Sequence, residues 1–312
     1  MRPNDSWLEH ADLRKVQEHA RRLLDAADAW NRFPTPVDQL LAAAAVKVAP
    51  KGIFDPTNIL NFFKANASRL ASKATRIVTQ VKSALSKILG LYDAQERVIH
   101  IDETLGASKR NFIKLHEAGH HQLPTHRQMF GLFQDCEQTL APEISDQFER
   151  EANNFARFVL FQGDTYAQLA ADSPLEIKTP IKLAKKFGAS IYASAREFAR
   201  TNHRECIVYV LEPIEYVEGF GAQATVRRIE PSPSFTARFH PPQDHIITLD
   251  HPFGSLLPIG RRMTRPRQIV LQDKNGLFQE CLAEAFDTTF NVIILIYTHR
   301  SLNKKSIIVF PQ

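Results

Sequence analysis

No apolar run in this 312-residue chain reaches the ~20 residues needed to span a bilayer, so a membrane protein is not expected. The opening residues, MRPNDSWLEHADLRK, are polar and lack the apolar core of a secretory signal, and a cytoplasmic protein is expected. Cysteine is scarce. Cys136, Cys206 and Cys281 are odd in number and widely spaced, which argues against a disulfide framework and fits a reducing compartment. There is no glycine-rich phosphate loop and no internal repeat, which removes P-loop and solenoid readings.

Acid is missing from one long stretch. Residues 56–92 hold no Asp or Glu, while Lys64, Arg69, Lys73, Arg76, Lys82 and Lys87 are basic, although the net charge of the whole chain is only +5. Ile77, Val81, Leu85, Ile88 and Leu89 form an apolar stripe there, so a long amphipathic helix with a cationic face is predicted. Two readings of that face stand: a solvated surface, or a docking face for nucleic acid or an acidic partner.

What is present is sharper. Leu115 to His121 read LHEAGHH, which holds H-E-x-x-H as His116, Glu117 and His120. With about 3.6 residues per turn, a helix stacks the two histidines on one face, where both imidazoles can meet one Zn²⁺. Glu117, one residue on, can reach a water at that metal, as a hydrolase needs. The bare pattern also arises by chance on surface helices, so context decides. Phe112 to Leu115 give the helix an apolar face, Gly119 allows close approach of another chain segment, and a second candidate helix follows at 147–161.

A catalytic zinc needs a third protein ligand and an open fourth position. The second helix offers Glu149 and Glu151. Its buried stripe is Phe148, Ala152, Phe155, Ala156 and Val159. Glu149 adjoins Phe148 and precedes Ala152 by about one turn, so it shares the inward side. Glu151 lies about 200° further round and is expected to face solvent or Arg150 and Arg157. His121 is about 100° from His120 and is expected to pack or support rather than bind the same metal. The same holds for His126, although either could donate to a developing oxyanion. Cys136 falls between the two halves of the motif. It is either a half-buried small residue or a thiolate that takes the open zinc position and blocks catalysis.

The stretches FIKLHEAGHH and EREANNFARFVL resemble the ImmA/IrrE metallopeptidases, whose pattern is H-E-x-x-H followed by E-x-x-A-N-x-F-A. The second half matches at Glu149, Ala152, Asn153, Phe155 and Ala156. The resemblance implies that Glu149 completes a zinc site with His116 and His120, and that Glu117 is the catalytic base. It implies that RVIHID, residues 97–102, is the edge strand of the active-site cleft, along which an extended substrate would lie. Residues 33–48 resemble the family's opening helices, and residues 181–200 its helix-turn-helix-like segment. The ending after the second helix, VLFQGD, departs from the family's usual Leu-Leu-x-Pro.

Patterning is helical to about Thr201, with helices expected at 12–30 and 37–45. Beyond it, β-branched runs at 206–213, 223–231, 245–250, 267–273 and 291–299 predict a sheet. The fold class expected is α+β. A mainly helical zincin-like metallopeptidase domain with a small edge sheet (1–172) precedes a helix-turn-helix-like segment (173–202) and a β-rich regulatory domain (203–312). Likeness to longer family members makes that last domain GAF-like. Arg261, Arg262, Arg265 and Arg267 cluster in it, either as a polar loop or as a phosphate-binding patch.

The function expected is site-specific, zinc-dependent cleavage of a helix-turn-helix transcriptional repressor, inducing stress, mobile-element or phage-defence genes. Single-stranded DNA, touching both basic segments, is the expected activator. The competing reading is a DNA-binding transcriptional regulator with a non-catalytic zinc site.

Overall fold

The computed structural model describes residues 7–49, 90–93, 97–101, 104–127, 142–219, 221–240 and 242–298. The chain divides into two compact units, residues 1–165 with 186–189, and residues 166–185 with 190–312. The predicted cationic helix falls outside the described residues. No helix among those described is long and apolar enough to cross a membrane.

In the first unit, α1 spans His10–Ala26 and buries Val16, Ala20, Leu23 and Leu24, an i, i+4, i+7, i+8 stripe. It stops short of the Trp30 expected from the pattern. Asp28 turns left-handed at φ +45°, and the Trp30 indole donates back to Asp25 at 2.6 Å. Helix α2, Val37–Ala43, follows two prolines and buries Val37, Leu40 and Leu41.

A small sheet comes next, built from β1 (Lys47–Val48), β2 (Gly90–Asp93) and β3 (Val98–Ile101) in the order β1-β3-β2. This corrects one expectation. The RVIHID strand is central, not an edge, because β1 pairs with it in parallel and β2 in antiparallel register. The Lys47 and Ala49 amides donate to Arg97 and Ile99, which uses the carbonyls a substrate strand would need. Two long helices complete this unit, α3 (Ala107–Gln122) and α4 (Pro142–Leu160).

Helices α5 (Asp164–Ala171), α6 (Lys178–Phe187) and α7 (Ile191–Thr201) follow. Ser190 caps α7 by accepting from the Ala193 amide. The second unit then builds an antiparallel sheet from β4 (Cys206–Leu211), β5 (Glu215–Val217), β6 (Gly221–Pro231), β7 (Ile246–Thr248), β8 (Arg267–Gln272), β9 (Phe278–Asp287) and β10 (Val292–Thr298). The order is β5-β6-β4-β10-β9-β8, with β7 also on β6. The short helix α8, Pro233–Arg238, sits between β6 and β7.

Strands β4 and β10 are buried almost throughout, as runs such as CIVYVL and VIILIY require. One face of the pair, Ile207, Tyr209, Leu211, Val292, Ile294 and Ile296, joins a core with Phe235, Phe239, Phe253 and Leu256. Helix α7 packs on β4 and β6.

That sheet carries one buried acid. Glu284 is 4 % exposed. It accepts from the Ile177 amide at 2.9 Å and from the Tyr297 hydroxyl at 3.3 Å. Burial raises its pKa, and the two hydrogen bonds oppose that only in part. The folded state therefore holds the proton more tightly than the unfolded chain. Stability should fall as pH rises from about 4.3, the ordinary Glu value, through the raised folded value. Glu284→Gln keeps an acceptor for Ile177 and cannot ionise. Urea unfolding at a series of pH values should show the variant gaining on the native chain as pH rises above about 4.3. A stability difference that does not change with pH would mean that Glu284 titrates normally.

Candidate metal centre

Helix α3 carries the H-E-x-x-H residues on its buried turn: His116, Glu117, Ala118, Gly119, His120 and His121 are all buried. The helix lies against β2, β3 and α4. Contact with α4 is close because Gly119 has no side chain. A Cβ there would stand 3.1 Å from Phe155 Cδ1 and 3.3 Å from its Cβ and Cγ. Helix α4 presents Phe148, Ala152, Phe155, Ala156 and Val159 as its buried stripe.

This packing sets Glu149 opposite the histidines. His116 Nε2 lies 3.3 Å from His120 Nε2. Glu149 Oε2 is 3.4 Å from His116 Nε2, and Oε1 is 3.8 Å from His120 Nε2. His116 and His120 are 7 % and 6 % exposed, and Glu117 beside them is 9 % exposed. Among the described residues, His116, His120 and Glu149 form the one group able to share a metal. The set passes a geometric test. Ligands at 2.0–2.2 Å on a tetrahedral zinc stand about 3.3–3.6 Å apart, and two of the three spacings fall there. Two imidazoles and a carboxylate also suit zinc chemically.

The flanking residues divide. His121 turns away toward Arg97, Arg127 and the Ala44 carbonyl. Burial, and then the Arg127 and Arg97 charges, lower its pKa. His126 does enter the site. It is fully buried, its Nδ1 lies 3.1 Å from His120 Nδ1, and its ring stacks on Phe148 at 4.0 Å. Glu151 corrects its expectation. It faces neither solvent nor Arg150 and Arg157; its Oε2 is 2.8 Å from His126 Nε2 and its Oε1 accepts from Gln147 at 2.9 Å. The helical wheel placed Glu151 on the far side of its own helix but had no means of placing His126, which lies past the end of α3.

Cys136 lies outside the described residues. Cys206 and Cys281 are free and buried, and burial pushes their thiols up to about 12 and about 11. Both are therefore poor thiolates. In the second unit Arg261, Arg262, Arg265 and Arg267 are all exposed, and the Arg262 guanidinium lies 5.8 Å from the Phe286 ring centroid.

Residues 76–197 match the family model Peptidase_M78, the IrrE N-terminal-like domain. Over that stretch the chain is similar to this family. A solved structure described as a Mycobacterium tuberculosis transcriptional regulator is similar at 12 % identity and a TM-score of 0.49, covering 95 % of this chain and 94 % of that one. No curated protein matches.

The Gly119–Phe155 contact gives a test of what holds α3 and α4 together. Alanine in a helix interior gains about 0.5–1 kcal/mol over glycine, whereas overpacking a filled core costs about 1–3 kcal/mol. Phe155 is fully buried and has little room to yield. Gly119→Ala should therefore lose roughly 1 kcal/mol in denaturant unfolding. A variant as stable as the native chain would show that the helices part without cost.

Proposed function

We propose that this chain is a zinc-dependent, site-specific endopeptidase that cleaves a helix-turn-helix transcriptional repressor, inducing stress, mobile-element or phage-defence genes. The observation that carries it is the convergence of His116, His120 and Glu149 beside a buried Glu117, inside a stretch similar to a peptidase family. Bound there, zinc supplies Lewis acidity and lowers the pKa of a water. His116, His120 and Glu149 are the ligands. Glu117 takes the proton of the attacking water and returns it to the departing amine. The substrate segment adds to an outer strand of the small sheet, since both sides of β3 are used.

In this reading residues 1–172 are the peptidase, 173–202 a helix-turn-helix-like segment and 203–312 a GAF-like regulatory module, all acting in the cytosol. A DNA-binding regulator with a non-catalytic zinc is less favoured. None of the residues of α7 is exposed, and its Arg196 and Arg200 are paired with Glu230. A non-catalytic zinc also has no use for Glu117 as a base.

Glu117→Gln tests the chemistry. The amide cannot take the proton, so cleavage of a repressor, followed by mass spectrometry of the fragments, should fall about 10²–10⁴-fold, while zinc content and fold are kept. Unchanged cleavage would reject Glu117 as the base.

The finer regulatory reading has single-stranded DNA bind Arg261, Arg262, Arg265 and Arg267, whose exposure supports phosphate contact. Such binding must favour the active state over the inactive one and weaken steeply with salt. Reversing the four arginines to Glu should weaken stimulation of cleavage and leave zinc content intact. Stimulation unaffected by the reversal would remove the cluster from sensing.

A further inference from the structure

We infer that His126 and Glu151 are positioning residues, which hold His120 in the tautomer and orientation that a metal ligand needs. The inference rests on the metal-site reading above and adds two side chains to it.

The two ring nitrogens of His120 have different neighbours. Nε2 faces His116 Nε2 and Glu149. A ligand must offer its lone pair there, so the His120 proton sits on Nδ1. Nδ1 lies 3.1 Å from His126 Nδ1, which must then accept. An accepting Nδ1 puts the His126 proton on Nε2, 2.8 Å from Glu151 Oε2. An ionised carboxylate only accepts. Each contact thus has one donor and one acceptor, and both run the same way: His120 donates to His126, which donates to Glu151. Any arrangement in which His126 donates from Nδ1 forces the His120 proton onto Nε2 and takes that nitrogen out of the ligand set.

The far end of this chain is held as firmly as the near end. His126 is fully buried, with its ring 4.0 Å from that of Phe148 and tilted by only 23°. The second oxygen of Glu151 accepts from Gln147, one turn earlier on the same helix, at 2.9 Å. Helix α4 therefore grips His120 from two sides. Glu149 meets it at Nε2, and Glu151 reaches it through His126 at Nδ1.

Partners of this kind hold the ligand ring in place and raise its basicity, and their loss typically costs about 10–100-fold in metal affinity. The test uses the full chain and zinc itself. His126→Phe keeps an aromatic ring on Phe148 and removes both nitrogens. His126→Asn returns an acceptor close to the Nδ1 position. Zinc affinity, measured by competition with a chromophoric chelator, should weaken about 10–100-fold in His126→Phe and recover in large part in His126→Asn. The visible spectrum of the cobalt-substituted chain should change in His126→Phe, since the spectrum reports ligand geometry. Glu151→Gln keeps an acceptor oxygen without the charge and should weaken zinc less than His126→Phe. It also carries the test if the Phe ring disturbs packing, which urea unfolding of the zinc-free chain would reveal. Native-like affinity and an unchanged cobalt spectrum in both His126→Phe and Glu151→Gln would overturn the inference, as would His126→Asn binding no better than His126→Phe. A native chain that binds no zinc would instead overturn the metal reading beneath it, and the two failures are distinct.

Discussion

The site depends on how near α3 and α4 approach. The two histidines need only helical geometry, since four residues bring them to one face. Glu149 is a different matter. It comes from a helix far along the chain, and its distance from His116 and His120 is set by the packing between helices. Gly119 on one side and Phe155, Ala152 and Ala156 on the other make that packing tight. A bulkier residue at Gly119 would meet the body of the Phe155 ring, not the end of a flexible chain. The same tight packing brings Gln147 and Glu151 within reach of His126, so one helix contact orders both layers of the site.

Local regularities made part of this legible in the sequence. Helical period gave the shared face of His116 and His120, the buried stripe from Phe148 to Val159 and the inward side for Glu149. Alternating and β-branched runs gave β4, β6, β7, β8 and β10. What remained hidden depends on non-local partners. Glu151 looked outward because its partner, His126, lies past the end of a different helix. The strand at Val98 looked like an edge because the β1 segment that covers it comes from some fifty residues earlier, Lys47 pairing with Val98. Strand β9, FQECLAEAFD, was not anticipated because it has no β-branched residue. It is a strand because β8 and β10 flank it on both sides, an instance of tertiary context overriding propensity. The end of α1 was misjudged for a smaller reason: nothing in the apolar pattern marks Asp28 as the residue that turns left-handed.

The buried polar groups separate structure from candidate chemistry. A buried donor or acceptor left unpaired is costly, so most are spent on backbone. This chain follows the rule widely. The Thr35 hydroxyl donates to the Leu160 carbonyl, and Gln162 ties Asn31 and Arg32. Ser232 accepts from the Cys206 amide, Thr264 from the Ala285 amide, and Glu284 from the Ile177 amide. Each fixes a loop, a cap or a strand end.

His116, His120 and Glu149 are aimed differently. Three potential metal-binding atoms lie within 4.8 Å of one another, and a carboxylate and two imidazole nitrogens so placed all present lone pairs when no proton occupies them. Acceptors brought together repel unless a proton or a cation lies between them. Protons alone can relieve this, but only by occupying the nitrogens that face inward. In the arrangement inferred above, the chain from His120 through His126 to Glu151 draws the His120 proton outward to Nδ1 and leaves Nε2 bare. A fold that merely needed to bury these groups gains nothing from that bias, because it leaves three lone pairs in confrontation. A fold that receives a cation gains directly, since the lone pairs are already turned toward it. The two hydrogen bonds on the far side of His120 and a cation on its near side therefore call for the same tautomer.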